Sequence, residues 1–244
     1  MNSKFRNFLT STLFVKDIKC LFCDDELNIN SRYCVCDKCF AKLPFITGNI
    51  CAYCGEPIKS LATYCMRCKK HIDRGFDRAR AVFLYKNEIS KAIKDLKYFG
   101  NKYLAEYLSR FLFDVYVKEN FDDDIVIPTP ISKKSLKARS FNQSELLCSS
   151  FAENGFEVNT NCIVKDKETE NQAKLNFKDR QTNLIGSFKV IDKQKIKNKN
   201  VLLVDDIFTT GATVSEIAFT LKKAGAKRVD VITLCHELPD GVTN

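Results

Sequence analysis

Two adjacent carboxylates, Asp205 and Asp206, are followed within seven residues by Thr209, Thr210, Gly211, Ala212 and Thr213. Hydroxyls and a small-residue backbone suit an anion, because exposed N–H groups and a helix start both favour negative charge. Gly211 lets the backbone approach a ligand closely. The aspartates need another partner, since carboxylates repel phosphate. As acceptors they suit sugar hydroxyls or a hydrated cation. An anion cradle beside two hydroxyl acceptors describes a ribose 5-phosphate site.

The second chemical cluster is sulfur. Nine of twelve cysteines fall between Cys20 and Cys68, and eight of them form the pairs Cys20/Cys23, Cys36/Cys39, Cys51/Cys54 and Cys65/Cys68. Four Cys-x-x-Cys pairs in succession have the spacing of structural zinc knuckles, with two pairs for each tetrahedral site. Sequential pairing closes each loop locally; a cross-braced arrangement satisfies the same count. Cys34 is left as a spectator or a competitor of Cys36. Closed four-cysteine sites leave no position for catalysis, so this zinc is read as structural.

A third group is cationic. After Ile125–Ile127 and Pro128-Thr129-Pro130 come Lys133, Lys134, Lys137 and Arg139, then Ser140, Phe141, Asn142 and Gln143. A basic loop after a parallel strand is where an α/β sheet binds ligands, and pyrophosphate is the natural guest. Asn142 or Ser140 could cap the next helix. Lys97, before the helix end marked by Gly100, suits the negative C-terminal end of a helix.

These groups need elements to hold them. Val201–Val204 is an unbroken apolar run, the mark of a strand buried on both faces, and a helical pattern runs from Val214 to Lys223. Strands are expected over Arg80–Tyr85, Ile125–Ile127, Val158–Val164 and Arg228–Leu234, and a helix over Leu104–Val117. Asp122–Asp124 reads as a solvated turn. The polar stretch Lys165–Asn183 has the length of a lid. The expected fold class is α/β, a central parallel sheet flanked by helices with a small N-terminal four-cysteine zinc module. Residues 1–75 carry the zinc module and 76–244 the sheet domain.

The chain has 244 residues, a formal net charge of +9, 19 Phe and no Trp. Hydrophobic residues at 45% suffice for a core and exclude wholesale disorder. No apolar run is long enough to span a bilayer, Met1–Lys19 reads as a short amphipathic helix, and a cytoplasmic location is expected. Residues 1–74 carry twelve Lys/Arg against seven Asp/Glu, with Tyr33, Phe40, Tyr53 and Tyr64 among the cysteines. Basic charge with interleaved aromatics suits single-stranded nucleic acid; the same residues also serve to cover and solubilise small zinc cores. Cys148, Cys162 and Cys235 lie in apolar patterns and read as core. His71 and His236 have no partner constellation.

The acid pair with Thr209–Thr213 resembles the phosphoribosyl pyrophosphate (PRPP) motif of type I phosphoribosyltransferases. The order of cysteine pairs, Pro-x-Pro, Arg139-Ser140-Phe141-Asn142-Gln143, then Gln172, Leu175, Arg180, Asn183 and Phe188, is similar to the ComF/ComFC competence family. Ser140 stands where that family has Gly, and Lys165 where an Arg is usual. The resemblance implies that Asp205 and Asp206 hold the ribose hydroxyls, with magnesium bridging to pyrophosphate. It implies that Thr209–Thr213 wrap the 5-phosphate. Lys133, Lys134, Arg139, Asn142 and Gln143 would serve the pyrophosphate side, with Gln172 and Arg180 on a closing lid. It further implies pentosyl transfer to an unidentified acceptor, a role in DNA uptake and single-stranded DNA handling during natural transformation, and contacts with other DNA-uptake or recombination proteins. The alternatives are a non-catalytic single-stranded nucleic-acid binder reusing the phosphate cradle, and a nucleotide-salvage phosphoribosyltransferase.

Overall fold

A computed structural model describes residues 18–27, 31–70, 73–167 and 184–238. The expected N-terminal amphipathic helix and the lid residues Gln172, Leu175, Arg180 and Asn183 lie outside them, except for the last two residues of the former. Two compact units run Met1–Leu43 and Pro44–Asn244. The first holds Cys20–Cys39 and one helical turn, α1 (Asp37–Phe40). The second holds Cys51–Cys68 together with the sheet. The sequence boundary at residue 75 marks where the cysteine pairs end, whereas the compact units divide after residue 43.

The larger unit is built on four parallel strands, β1 (Arg78–Leu84), β2 (Ile125–Pro128), β5 (Asn200–Phe208) and β6 (Arg228–His236), in the order β1-β6-β5-β2. Central β5 and β6 are buried almost throughout. Helices cover both faces of such a sheet, so its central strands are apolar without alternation. Two short strands, β3 (Ile163–Lys165) and β4 (Phe188–Val190), form a separate antiparallel pair. The strand expected over Val158–Val164 is thus mostly absent; Val158 makes one isolated bridge to Val126.

After helix α2 (Met66–Lys70) come α3 (Asn87–Tyr98) and α4 (Tyr103–Lys118). Ile89, Ile93 and Leu96 form the buried stripe of α3, and Leu108 and Leu112 that of α4. Helix α4 packs on β1 and β6. The chain continues through α5 (Lys133–Arg139), α6 (Gln143–Leu146), α7 (Ser149–Glu153) and α8 (Ala212–Lys223). Aromatic packing is dense where Phe113, Tyr116 and Phe156 pack edge-on against Phe151. Cys148, Cys162 and Cys235 are buried as expected.

Two further expectations change. The basic stretch after β2 is a helix, not a loop: the Ser132 side chain accepts the Ser135 N–H and starts α5. Asp123 is not solvated. It is buried beside Asp230, with Arg228 3.6 Å away, and burial followed by the Asp230 charge pushes its carboxyl up to about 7. A run of three acids reads as surface, but two arginines reach Asp230 and let its neighbour remain inside.

Candidate phosphoribosyl and zinc sites

β5 is longer than its apolar run, so Asp205 and Asp206 lie inside the strand near its C-terminal end. They open into a cavity of about 840 Å³, lined also by Lys97, Thr129, Lys134, Arg139, Gln143, Lys165, Thr209 and Thr213. The cavity lies beyond the carboxyl ends of parallel strands, where α/β sheets bind ligands. Asp205 Oδ1 accepts the Ser144 hydroxyl at 3.0 Å and the Asp206 N–H at 2.9 Å. Asp206 Oδ1 accepts Gln143 Nε2 at 3.4 Å, and its other oxygen is ion-paired with Lys97. Burial and then the Asp206 charge push Asp205 up to about 7. Burial opposes ionisation of Asp206 as well, but Lys97 outweighs it and holds that carboxyl below its usual range. Lys97 is raised in turn, Asp206 overcoming the cost of its burial.

The loop Thr209–Thr213 is braced from behind. Gly211 has φ 77° and caps α8, and a Cβ there would come within 2.6 Å of Phe208 and 2.8 Å of Arg74. Only glycine fits. Thr210 Oγ1 accepts the Ala212 N–H at 3.2 Å, and the buried Arg74 guanidinium donates to the Thr210 carbonyl. Arg74 also lies over the rings of Phe76 and Phe208. Thr210, Gly211 and Ala212 therefore shape the loop, while Thr209 and Thr213 reach the cavity.

On the opposite wall, α5 contributes Lys134 and Arg139, whose Nη1 donates to Gln143 Oε1 at 2.9 Å. Lys133 is exposed and outside the lining. Asn142 caps α6, accepting the Ser144 N–H, and its Nδ2 donates to the Thr129 carbonyl at 3.0 Å; it positions this wall without lining the cavity. Ser140 adopts φ 64° at the end of α5, a conformation natural to glycine. Ser140→Gly is expected to stabilise the protein by about 1 kcal/mol. A urea midpoint that stays put or falls would contradict it.

The spacing of motifs does not signal Arg74 or Ser144. Both act on the site from elements far away in sequence. Thr129 Oγ1, at the end of β2, is buried without a hydrogen-bond partner and belongs to the cavity wall, a donor awaiting an acceptor. Oxygen-only donors at Asp205 and Asp206 fit a hard cation such as magnesium.

The cysteines gather sequentially, Cys20/Cys23/Cys36/Cys39 and Cys51/Cys54/Cys65/Cys68, the sulfurs of each set within 4.8 Å of one another. Cys23 and Cys36 Sγ are 3.6 Å apart, and Cys54 and Cys65 Sγ 3.7 Å. Four thiolates about 2.3 Å from a tetrahedral zinc stand about 3.8 Å from each other, so both sets fit that ion. The second set is fully buried and continuous with the hydrophobic core around Phe76, Phe208 and Ile217. Cys34 is buried and belongs to neither set.

Comparisons with known proteins agree with this geometry. The phosphoribosyl transferase domain family matches residues 151–241, and the double zinc ribbon domain family matches residues 10–69. The chain is 28% identical over 224 residues to competence protein F of Haemophilus influenzae, covering 88% of this chain and 95% of that one. It is 28% identical over 225 residues to the DNA utilization protein YhgH of Salmonella typhimurium, covering 90% and 97%. With competence protein ComFC of Bacillus subtilis the identity is 28% over 242 residues, covering 88% and 93%. Fold and cysteine sets thus define a phosphoribosyltransferase-type parallel-sheet fold with N-terminal zinc ribbon modules. Within that class the chain is similar, over nearly its whole length, to competence protein F, ComFC and YhgH. Among the described residues no helix is long and apolar enough to cross a membrane.

Proposed function

We propose that the cavity binds PRPP with magnesium and that the protein acts in the cytoplasmic handling of imported DNA. The convergence of Asp205/Asp206, Thr209/Thr213 and Lys134/Arg139 on one 840 Å³ space carries this reading. The carboxylates take the ribose hydroxyls, the N-terminal end of α8 takes the 5-phosphate, and the cations face the pyrophosphate. Magnesium, when bound, neutralises the pyrophosphate and favours its departure. Lys97 must yield Asp206 Oδ2 to the ligand, and Lys165, on β3, adds a further cation to the cavity lining. Two reduced four-cysteine zinc sites suit the cytoplasm. The names of the relatives support the role in DNA uptake, and other DNA-uptake or recombination proteins are its expected partners.

Titration calorimetry with PRPP and magnesium tests the ligand. Binding uses ionised Asp205, whose carboxyl is pushed up to about 7. Below that pH the site must release a proton, so affinity falls roughly tenfold per pH unit; above it affinity is flat. No binding at pH 8 rejects the reading, and affinity unchanged from pH 8 to 6 rejects the role of Asp205.

A second reading, single-stranded nucleic-acid binding, is favoured by a particular surface. Tyr98, Phe99 and Tyr103 are more than half exposed, with Lys94 and Lys102 on the same connected elements and Lys134 and Arg139 lining the cavity with Tyr98. Arg139 lies 5.2 Å from the Tyr98 ring centroid. Aromatic faces for stacking among cations for the backbone are what single strands need. Single-strand affinity should then fall steeply with salt; salt-independent binding would argue against it. Whether PRPP is turned over, and onto which acceptor, is decided by following pyrophosphate release across candidate acceptors.

A further inference from the structure

His236 ends β6 and is fully buried, its ring stacked 4.9 Å from Phe208. Its Nδ1 is 3.1 Å from the Glu237 carbonyl oxygen. A carbonyl only accepts, so Nδ1 carries the proton and Nε2 keeps a lone pair. That Nε2 is buried with no hydrogen-bond partner. Around it stand two more electron-pair donors. The ligand atoms of Cys54, Glu56 and His236 lie within 4.8 Å of one another.

Once zinc in the four-cysteine set holds Cys54 as a thiolate, all three ligand atoms are electron-pair donors, and a shared cation offsets their repulsion. Arg67 does not supply it: Arg67 Nε donates at 2.9 Å to Glu56 Oε2 and so orients the carboxylate, leaving Oε1 for another partner. Charge points the same way. A zinc ion among four thiolates carries two net negative charges, and Glu56 adds one that Arg67 cancels. With the buried Arg74 also counted, one negative charge remains for a second cation to offset.

We propose that Cys54, Glu56 and His236 form a third metal site, bridged through the Cys54 thiolate to the second four-cysteine centre. Its sulfur, nitrogen and oxygen donors suit zinc or cobalt and disfavour magnesium. The cation draws its ligands in by about 1 Å, since bonds of about 2.0–2.3 Å place ligand atoms under 4 Å apart. The site lies beneath Phe208, directly before the Thr209–Thr213 loop.

Native mass spectrometry of the full chain, titrated with zinc alone, counts the ions. Three zinc ions per chain are expected, and two in His236→Gln and Glu56→Gln. Cobalt added to protein carrying two zincs should give a thiolate charge-transfer band with its first equivalent. Loss of the third ion in either variant, with two zincs retained, supports the site. A count of two in the wild type overturns it, as does a third ion kept by both variants. If neither variant holds its two zincs, the wild-type cobalt spectrum decides: no thiolate band means no bridged site.

Discussion

Asp205→Asn is expected to stabilise the protein by about 1–3 kcal/mol at pH 8 and to destroy PRPP binding; Asp206→Asn is expected to destabilise it. The two residues are adjacent and chemically identical, but their surroundings differ. Burial and the Asp206 charge raise Asp205 to about 7. A raised carboxyl holds a proton that the unfolded chain has already lost, so stability falls as pH rises from about 4 to 7. Above 7 that cost is complete, and Asn removes it while keeping the acceptor for Ser144. At pH 4 the gain should vanish. Asp206 is the ion-pair partner of the partly exposed Lys97. Without it Lys97 keeps only the weaker attraction of Asp205, a change that costs about 1–3 kcal/mol. Urea unfolding at pH 4 and 8 measures both, and shifts of the same sign in the two variants would refute this account. In calorimetry each variant should lose PRPP affinity by at least about tenfold, about 1.4 kcal/mol. Single-strand affinity should not fall, because neither carboxylate attracts phosphate. Loss of both activities together would place the two ligands in one site.

The second large effect concerns the cysteine sets. Cys51→Ser should remove its zinc and lower the stability of the sheet-containing unit by more than about 4 kcal/mol. Cys20→Ser should remove the other zinc and leave that unit's unfolding transition in place. Structural zinc binds with about 10–16 kcal/mol in small peptides, and that energy is folding energy. Cys51, Cys54, Cys65 and Cys68 share a core with Phe76, Phe208 and Leu203, so their loss is felt through the sheet. Cys20–Cys39 belong to the smaller compact unit. Calorimetric unfolding combined with zinc content per chain separates the two. Equal destabilisation by both substitutions would show that the units are one folding system.

Much of this is legible without coordinates. The buried strand, the acid pair and the glycine turn occupy thirteen consecutive residues, and local order is enough to recognise them. The Cys-x-x-Cys pairs are equally local. The helix after β2 escapes a reading of sequence because four cations resemble a solvated loop. A seven-residue helix depends on its Ser132 cap more than on any apolar stripe. Asp123 reads as solvated because its partners Arg228 and Asp230 are over a hundred residues away. His236 reads as isolated for the same reason: Cys54 and Glu56 reach it only when β6 is laid beside β1.

By itself the sequence determined the donor types: two carboxylates beside a threonine-glycine turn, cations after a strand, and eight thiols in pairs. Only the tertiary structure decided their partners. It put Lys97 on Asp206 and left Asp205 to rise, set Arg74 behind Thr210, and closed the thiols sequentially into two sets. The physical reason is reach. Spacing of two to four residues fixes which groups one turn can present, whereas pairs a hundred residues apart meet through the strand order β1-β6-β5-β2. That order follows from burying the whole apolar surface of the chain.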